Sequence, residues 1–161
     1  MKLQGTGKQA TDKEVLNSWE RENHPLAAYN FILRVEAMYD LPCKRVTGIS
    51  QEREYEYIQE GGVNDFVHIV EKPVSKPFTF QVERYVGVDY VDPLSLGVRL
   101  DMPVQLLVNR TLGNQGKTEL TLSFSGCVVT GKSYGEVDAE HSGLLLETTT
   151  IAYQSLVVET E

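Results

Sequence analysis

From Tyr29 to Ala37 the apolar positions fall at every second residue: Tyr29, Phe31, Leu33, Val35 and Ala37 alternate with Asn30, Arg34 and Glu36. A period of two sends successive side chains to opposite faces of an extended chain, so the segment predicts a half-buried strand. "MYDLP" then turns the chain, and Lys44 to Ile58 predicts one long strand in which Gly48 marks a bulge or bend. Gly61-Gly62 and Asn64-Asp65 break it. "FVHIV" and "FTFQVERYV" are further strands, joined by "EKPVSKP", whose two prolines lack ladder donors and suit an exposed connection. Val104–Val108 and Leu120–Thr130 are strands around an "LGNQGK" turn, and "LLLETTTIAYQSLVVE" closes the chain as a strand rich in threonine and β-branched residues.

Helical spacing is confined to two short stretches. In "TDKEVLNSWERE", Thr11 and Glu14 fit a capping box and Val15, Leu16 and Trp19 form an apolar stripe. In "YVDPLSLGVRL", Asp92 is placed to cap a helix with Pro93 at its first position, followed by Leu94, Leu96 and Val98. Roughly six to eight strands with one or two short flanking helices make a mainly β protein, a two-sheet β-barrel or sandwich. The chain of 161 residues is long enough for one domain with a real core and too short for two. It divides into an N-terminal extension, residues 1–23, and a β domain, residues 24–161.

Charge narrows the range of functions. Fifteen Lys and Arg stand against 23 Asp and Glu, a formal net charge of −8. That balance opposes gripping a phosphate backbone or an anionic membrane, although cargo can slide past an acidic wall without adhering. "MKLQGTGKQATDKEV" lacks the apolar stretch of a secretory signal, and no segment approaches 18 continuous apolar residues, so the expected site of synthesis and assembly is the cytoplasm and no membrane segment is expected.

No catalytic set emerges. His24, His68 and His141 have no carboxylate or cysteine at ligand spacing, and Cys43 and Cys127 lie far apart without a CxxC pattern, so no metal site or disulfide framework is signalled. Ser123 and Ser125 in "LSFSGC" miss the Gly-x-Ser-x-Gly elbow, and Gly131-Lys132-Ser133 is a phosphate-loop fragment without its leading glycine or following helix. We expect neither enzyme activity nor a cofactor.

One pattern remains, "SQEREYEYIQEGG", with Glu52, Glu54 and Glu56 at every second position. On a strand they share a face about 6.8 Å apart and repel by about 0.6 kcal/mol in water, so that face must be wet or paired. They are a candidate lumen or intersubunit face; Gly61, Gly62, Asn64 and Asp65 form a candidate intersubunit loop. Three equivalent acids do not supply the differentiated acid and base of glycoside hydrolysis.

Laid out in order, "HPLAAYNFILRVEA", "VTGISQEREYEYIQEGGVNDFVHIV", "KPFTFQVERY" and "LSFSGCVVTGKSYGEVDAEHSGLLLETTTIAYQSL" resemble the segments of the contractile-phage tail-tube family, which includes the inner-tube proteins of phage-like contractile injection systems. The resemblance spans most of residues 24–158. Its more specific elements are Asn30-Phe31, the Val46–Ile49 step, the Tyr/Glu strand ending in Glu60-Gly61-Gly62, and Glu147–Ala152. It implies a tail-tube-like β-barrel whose copies form hexameric rings that stack into a hollow tube inside a contractile sheath, with baseplate, spike and terminator proteins at its ends. The particle would be a phage virion or a phage-like device such as a tailocin. Nucleic acid or protein cargo would pass through the lumen without specific binding. Two features depart from the family pattern: "ERYVGVDYVDPLSLGVRL" has no tryptophan and contains Gly97, and the stretch to about Glu22 is longer than usual. A main tube subunit and a specialised tube-end or baseplate subunit both stay open. The contrasting reading is a monomeric β-sandwich that binds carbohydrate or peptide on Tyr55, Tyr57, Tyr85 and Tyr90.

Overall fold

The computed structural model describes residues 26, 28–62, 65–88, 91–109 and 118–160. Among the described residues there are eleven strands: β1 (Phe31–Val35), β2 (Tyr39–Leu41), β3 (Arg45–Thr47), β4 (Tyr55–Ile58), β5 (His68–Glu71), β6 (Phe78–Tyr85), β7 (Val104–Asn109), β8 (Thr118–Ser125), β9 (Val128–Tyr134), β10 (Leu146–Tyr153) and β11 (Ser155–Thr160). They form a five-stranded sheet ordered β11-β8-β7-β1-β2, a four-stranded sheet ordered β3-β6-β10-β9, and a separate pair, β4-β5. Every pairing between these strands is antiparallel. The two-sheet, mainly β architecture expected from the alternation is the one observed.

Three expected elements divide differently. The strand expected at Leu120–Thr130 is two strands, because Gly126 takes a positive φ of 65° and turns β8 of one sheet into β9 of the other. The closing strand also divides: at Gln154 the chain leaves the four-stranded sheet as β10 and enters the five-stranded sheet as β11. These corners face each other. Gln154 N–H donates to the Ser125 carbonyl at 2.9 Å, and its side chain lies where a Cβ on Gly126 would project, 2.5 Å from Gln154 Oε1. The expected Lys44–Ile58 strand breaks at Gly48, whose φ of 82° turns the chain out of the sheet after β3.

The helix expected after Asp92 is replaced by turns. Asp92 Oδ1 does accept the Leu94 N–H at 3.1 Å, as a cap would. The following backbone groups bond sideways instead: Gly97 N–H donates to the Val129 carbonyl, Val129 N–H to Val98, and Leu100 N–H to Cys127, each at 2.9 Å. This segment lies along the edge of β9, so its polar groups are satisfied by a neighbour rather than by the next turn of a helix. The helix expected around Thr11–Glu22, and with it the extension to residue 23, lies outside the described residues.

The core sits between the two large sheets. Leu33, Val35, Leu106, Val104 and Phe124 from one meet Phe80, Val82, Ile151 and Tyr153 from the other. Phe80, Phe124 and Tyr153 form its aromatic centre, with ring centroids 4.4 Å apart for Phe80–Phe124 and 5.0 Å, edge to face, for Phe124–Tyr153. Burial pushes the Cys43 thiol up to about 12 and the Cys127 thiol up to about 11, so both stay protonated and act as small apolar groups.

A charged cluster penetrates this core. Glu147, Thr149, Ile151 and Tyr153 alternate on the inward face of β10, and Phe80, Val82 and Arg84 on that of β6. Glu147 and Arg84 are direct cross-strand partners, with Arg84 Nη2 3.0 Å from Glu147 Oε1. Lys132 of β9 and Asp92 complete the group: Lys132 Nζ lies 2.5 Å from Asp92 and 3.3 Å from Glu147, and Thr149 Oγ1 donates to Glu147 at 3.2 Å. Four charges of balancing sign thus fasten β6, β9, β10 and the Asp92 turn together.

Candidate functional site: the projecting arm

The separate pair β4-β5 is an arm that stands off the body. Its register sets Tyr55 opposite Glu71, Glu56 opposite Val70, Tyr57 opposite Ile69 and Ile58 opposite His68. Lys72 N–H donates to the Glu54 carbonyl at 2.8 Å and extends the pairing by one step. Every residue of both strands is exposed. Tyr57 is 70% exposed and Ile69 is 65% exposed, and Tyr55, Ile58, Phe66, Val67 and Val70 are also exposed apolar side chains of the arm and its approach. A two-stranded ribbon with no core beneath it is marginal by itself, and a run of exposed apolar groups of this size marks a contact surface.

The two faces differ. One carries Tyr55 and Tyr57 with Ile69, edged by an ion pair between Arg53 and Glu71. The other carries Glu54, Glu56 and Ile58 with Val70 and His68. Glu52, Glu54 and Glu56 are all exposed, but Glu52 precedes the ladder in irregular chain, so only the latter two belong to the hairpin face. Among the described residues, no ion pair joins any of the three to a basic side chain of the same chain. The face is wet, the first of the two states that like charges at this spacing allow.

Gly61 and Gly62 turn the chain just beyond β4, with Gly62 at φ 101°, and a Cβ on either would meet nothing within 4 Å. Asp65 is exposed beside them. Asn64 lies outside the described residues. The root, by contrast, is fixed: the Tyr153 hydroxyl donates to the Ser50 carbonyl, and Gln51 Nε2 donates to the Leu156 carbonyl on β11 at 2.7 Å.

At the other end of β6 a groove of about 580 Å³ opens between β2 and the chain that follows β6. Met38, Tyr39, Tyr85, Val88 and Val91 line it, with the buried Arg84 at its base. Met38 is 71% exposed at the tip of the β1–β2 turn, where Glu36 and Ala37 both take positive φ, 52° and 57°. Glu36 Oε1 helps hold this turn by accepting the Asp101 N–H at 3.1 Å. Lys44 Nζ lies over the Tyr85 ring, 5.6 Å from its centroid.

One further pair of titratable groups stands on the surface. His141 Nδ1 and Asp138 Oδ2 are 2.7 Å apart on an exposed loop, and Asp138 is held below the usual carboxylate range first by the Glu140 N–H and then by His141. Among the described residues, no three His, Cys, Asp or Glu side chains converge as a metal ion would require, and no helix is long and apolar enough to cross a membrane.

Sequence patterning singled out the glutamates and glycines that lie on and beside the arm, but it missed the arm itself, the groove and the core cluster. Parity held a signal for the cluster: Glu147 shares its strand face with Ile151 and Tyr153, and Arg84 with Phe80 and Val82. Opposite charges on two core-facing registers predict a pair.

No family model matches the chain, and no curated protein matches it by sequence. Solved structures do match it by shape. A chain of the PVC extracellular contractile injection system sheath–tube complex, in the extended state, superposes with a TM-score of 0.71 at 14% identity, over 89% of this chain and 97% of that one. A chain of the anti-feeding prophage cap, the AFP tube terminating cap, gives 0.71 at 12% identity, over 86% and 93%. Hcp1 from Flavobacterium johnsoniae gives 0.50 at 13% identity, over 83% and 97%. The resemblance carried by the four ordered sequence segments thus extends to the whole arrangement of strands, and the fold of this chain is the tail-tube fold of contractile injection systems.

Proposed function

We propose that this chain is a structural subunit of the hollow inner tube of a contractile tail or contractile injection system. Its copies assemble as stacked hexameric rings, inside a sheath and between baseplate or spike and terminator components. The observation that carries the reading is the exposed apolar arm on a body whose core is already complete: such a surface is stable in water only as part of an interface. The outer edge of β11, with Val157 and Val158 exposed, offers a second element for strand pairing between copies. The kinship of fold with proteins of a sheath–tube complex and a tube cap supports the same reading, and a role in scaffolding rather than catalysis.

Glu52, Glu54 and Glu56 act at the intersubunit or lumen-facing surface of the assembled arm, where like charge keeps acidic cargo from adhering. Gly61, Gly62, Asn64 and Asp65 form the loop that approaches a neighbour. Assembly takes place in the cytoplasm and the product is part of the particle. Negative-stain electron microscopy of the purified chain across a concentration series tests this: six-fold rings or hollow tubes are expected. Monomer-sized particles at every concentration, retaining a carbohydrate or peptide ligand, would establish the binding-module reading instead. Rings that form only on an added baseplate would identify a tube-end subunit.

A further inference from the structure

The arm and the groove lie at opposite ends of the same strand. The arm leaves the body beside Phe78, where Tyr153, the cross-strand partner of Phe78, holds Ser50; the groove opens beside Tyr85. Seven residue steps along β6 separate Phe78 from Tyr85, about 23 Å at the usual rise. The two features also take opposite edges of the five-stranded sheet. Gln51 at the arm root bonds to β11, and Met38 to Leu41, around β2, wall the groove.

A protruding element at one end and a recess at the other, on one rigid body, describe a heterologous contact, in which one copy's knob fills the next copy's hole and the rotation either closes a ring or continues as a filament. The chemistry is complementary. The arm presents Tyr57 and Ile69 on one face and Glu54 and Glu56, with Ile58, His68 and Val70, on the other. The groove presents Met38, Tyr39 and Val88, with Asp40 already paired to Arg34, and the Lys44 ammonium lies over the ring of Tyr85, which lines it. Lys44 is exposed, whereas the neighbouring Arg34 and Arg45 are already paired with Asp40 and Glu83.

We infer that the groove between β2 and the chain after Tyr85 is the receptor for the β4-β5 arm of a second copy of this chain, with the face that carries Glu56, Ile58 and Val70 in the groove and Glu56 toward Lys44. This deepens the tube reading and rests on it, since it names which surface of the neighbour the arm meets.

The test uses the full chain. Val70→Cys and Val88→Cys variants, mixed in equal amounts under assembly conditions and treated with a short bismaleimide, should give a cross-linked dimer. Neither variant should do so alone; each, with its buried Cys127 and half-buried Cys43, is the control for the native thiols. In parallel, Lys44→Glu should raise the concentration for half-maximal assembly about tenfold without changing the melt of the monomer, and Glu56→Lys in the same chain should restore it. Rings or tubes that form normally with no Val70–Val88 cross-link, and that tolerate Lys44→Glu, would overturn the docking while leaving the tube reading intact. Wild-type chain that assembles neither alone nor on an added baseplate would overturn both.

Discussion

The strand pair β6-β10 and the strand pair β4-β5 have similar local sequences and opposite environments. "FTFQVERY" and "LETTTIAY" pair over eight positions and bury Phe80, Val82, Ile151 and Tyr153; "YEYI" and "HIVE" pair over four and bury nothing. Both are antiparallel, both alternate, and both carry aromatic and β-branched residues. The difference is what lies against them. The first pair has a second sheet on one face, so its side chains stabilise the monomer; the second has water on both, so its side chains are free to stabilise something else. One sequence pattern thus serves folding in the body and assembly in the arm.

The comparison is broken most forcefully in the body. Glu147→Ala leaves Arg84 and Lys132 buried without their shared carboxylate, and should cost about 3–5 kcal/mol, read from urea denaturation of the monomer. Tyr153→Phe keeps the ring in the aromatic centre and removes its bond to Ser50; a loss of about 1 kcal/mol is expected, with faster amide exchange at Ser50 and Gln51 as the arm root loosens. Ala37→Gly should stabilise the monomer by about 0.5–1 kcal/mol, because the residue already sits at φ 57° where glycine has no steric penalty.

The arm should behave in the opposite way. Tyr57→Ser and Ile69→Ser should each change monomer stability by less than about 0.5 kcal/mol while abolishing rings and tubes in negative stain. Gly62→Val, at φ 101°, should block assembly with the monomer still folded, and Gly61→Val should be the milder of the two. Arg34–Asp40 supplies the smallest effect and sharpens the contrast, since it is exposed although it belongs to the body. Arg34 holds Asp40 below the usual carboxylate range by direct hydrogen bonds at 2.7 and 3.1 Å. A depressed folded-state pKa means that the contribution is full above the ordinary Asp range and is lost as pH falls through the depressed value. Asp40→Asn should therefore cost about 0.3 kcal/mol at neutral pH and nothing in strong acid.

Much of the fold was legible because period-two alternation is a local property. Phe31–Val35, Phe78–Tyr85 and Val104–Asn109 fall where their alternation placed them. The corner at Gln154 was not legible: "AYQSL" holds neither glycine nor proline to break the strand, and the change of sheet is dictated by partners far away in sequence, including Ser125. The β1–β2 turn was missed for a related reason. A turn with two positive φ angles ordinarily announces itself with Asn-Gly, and Glu36-Ala37 gives no such cue because a tertiary bond to Asp101 helps hold it. At the arm, the glutamates and glycines were visible and Gly48 marked a bend, but whether that bend kept the strand in a sheet or turned it out depended on partners far away in sequence.

The central claim is that the arm contributes to assembly and the body to folding, and amide hydrogen exchange of monomer and assembled particle tests it most directly. The account predicts that residues 54–58 and 68–72 exchange rapidly in the monomer and become strongly protected on assembly, while β6 and β10 are protected in both. An arm already protected in the monomer, or one that still exchanges freely within rings and tubes, would contradict it.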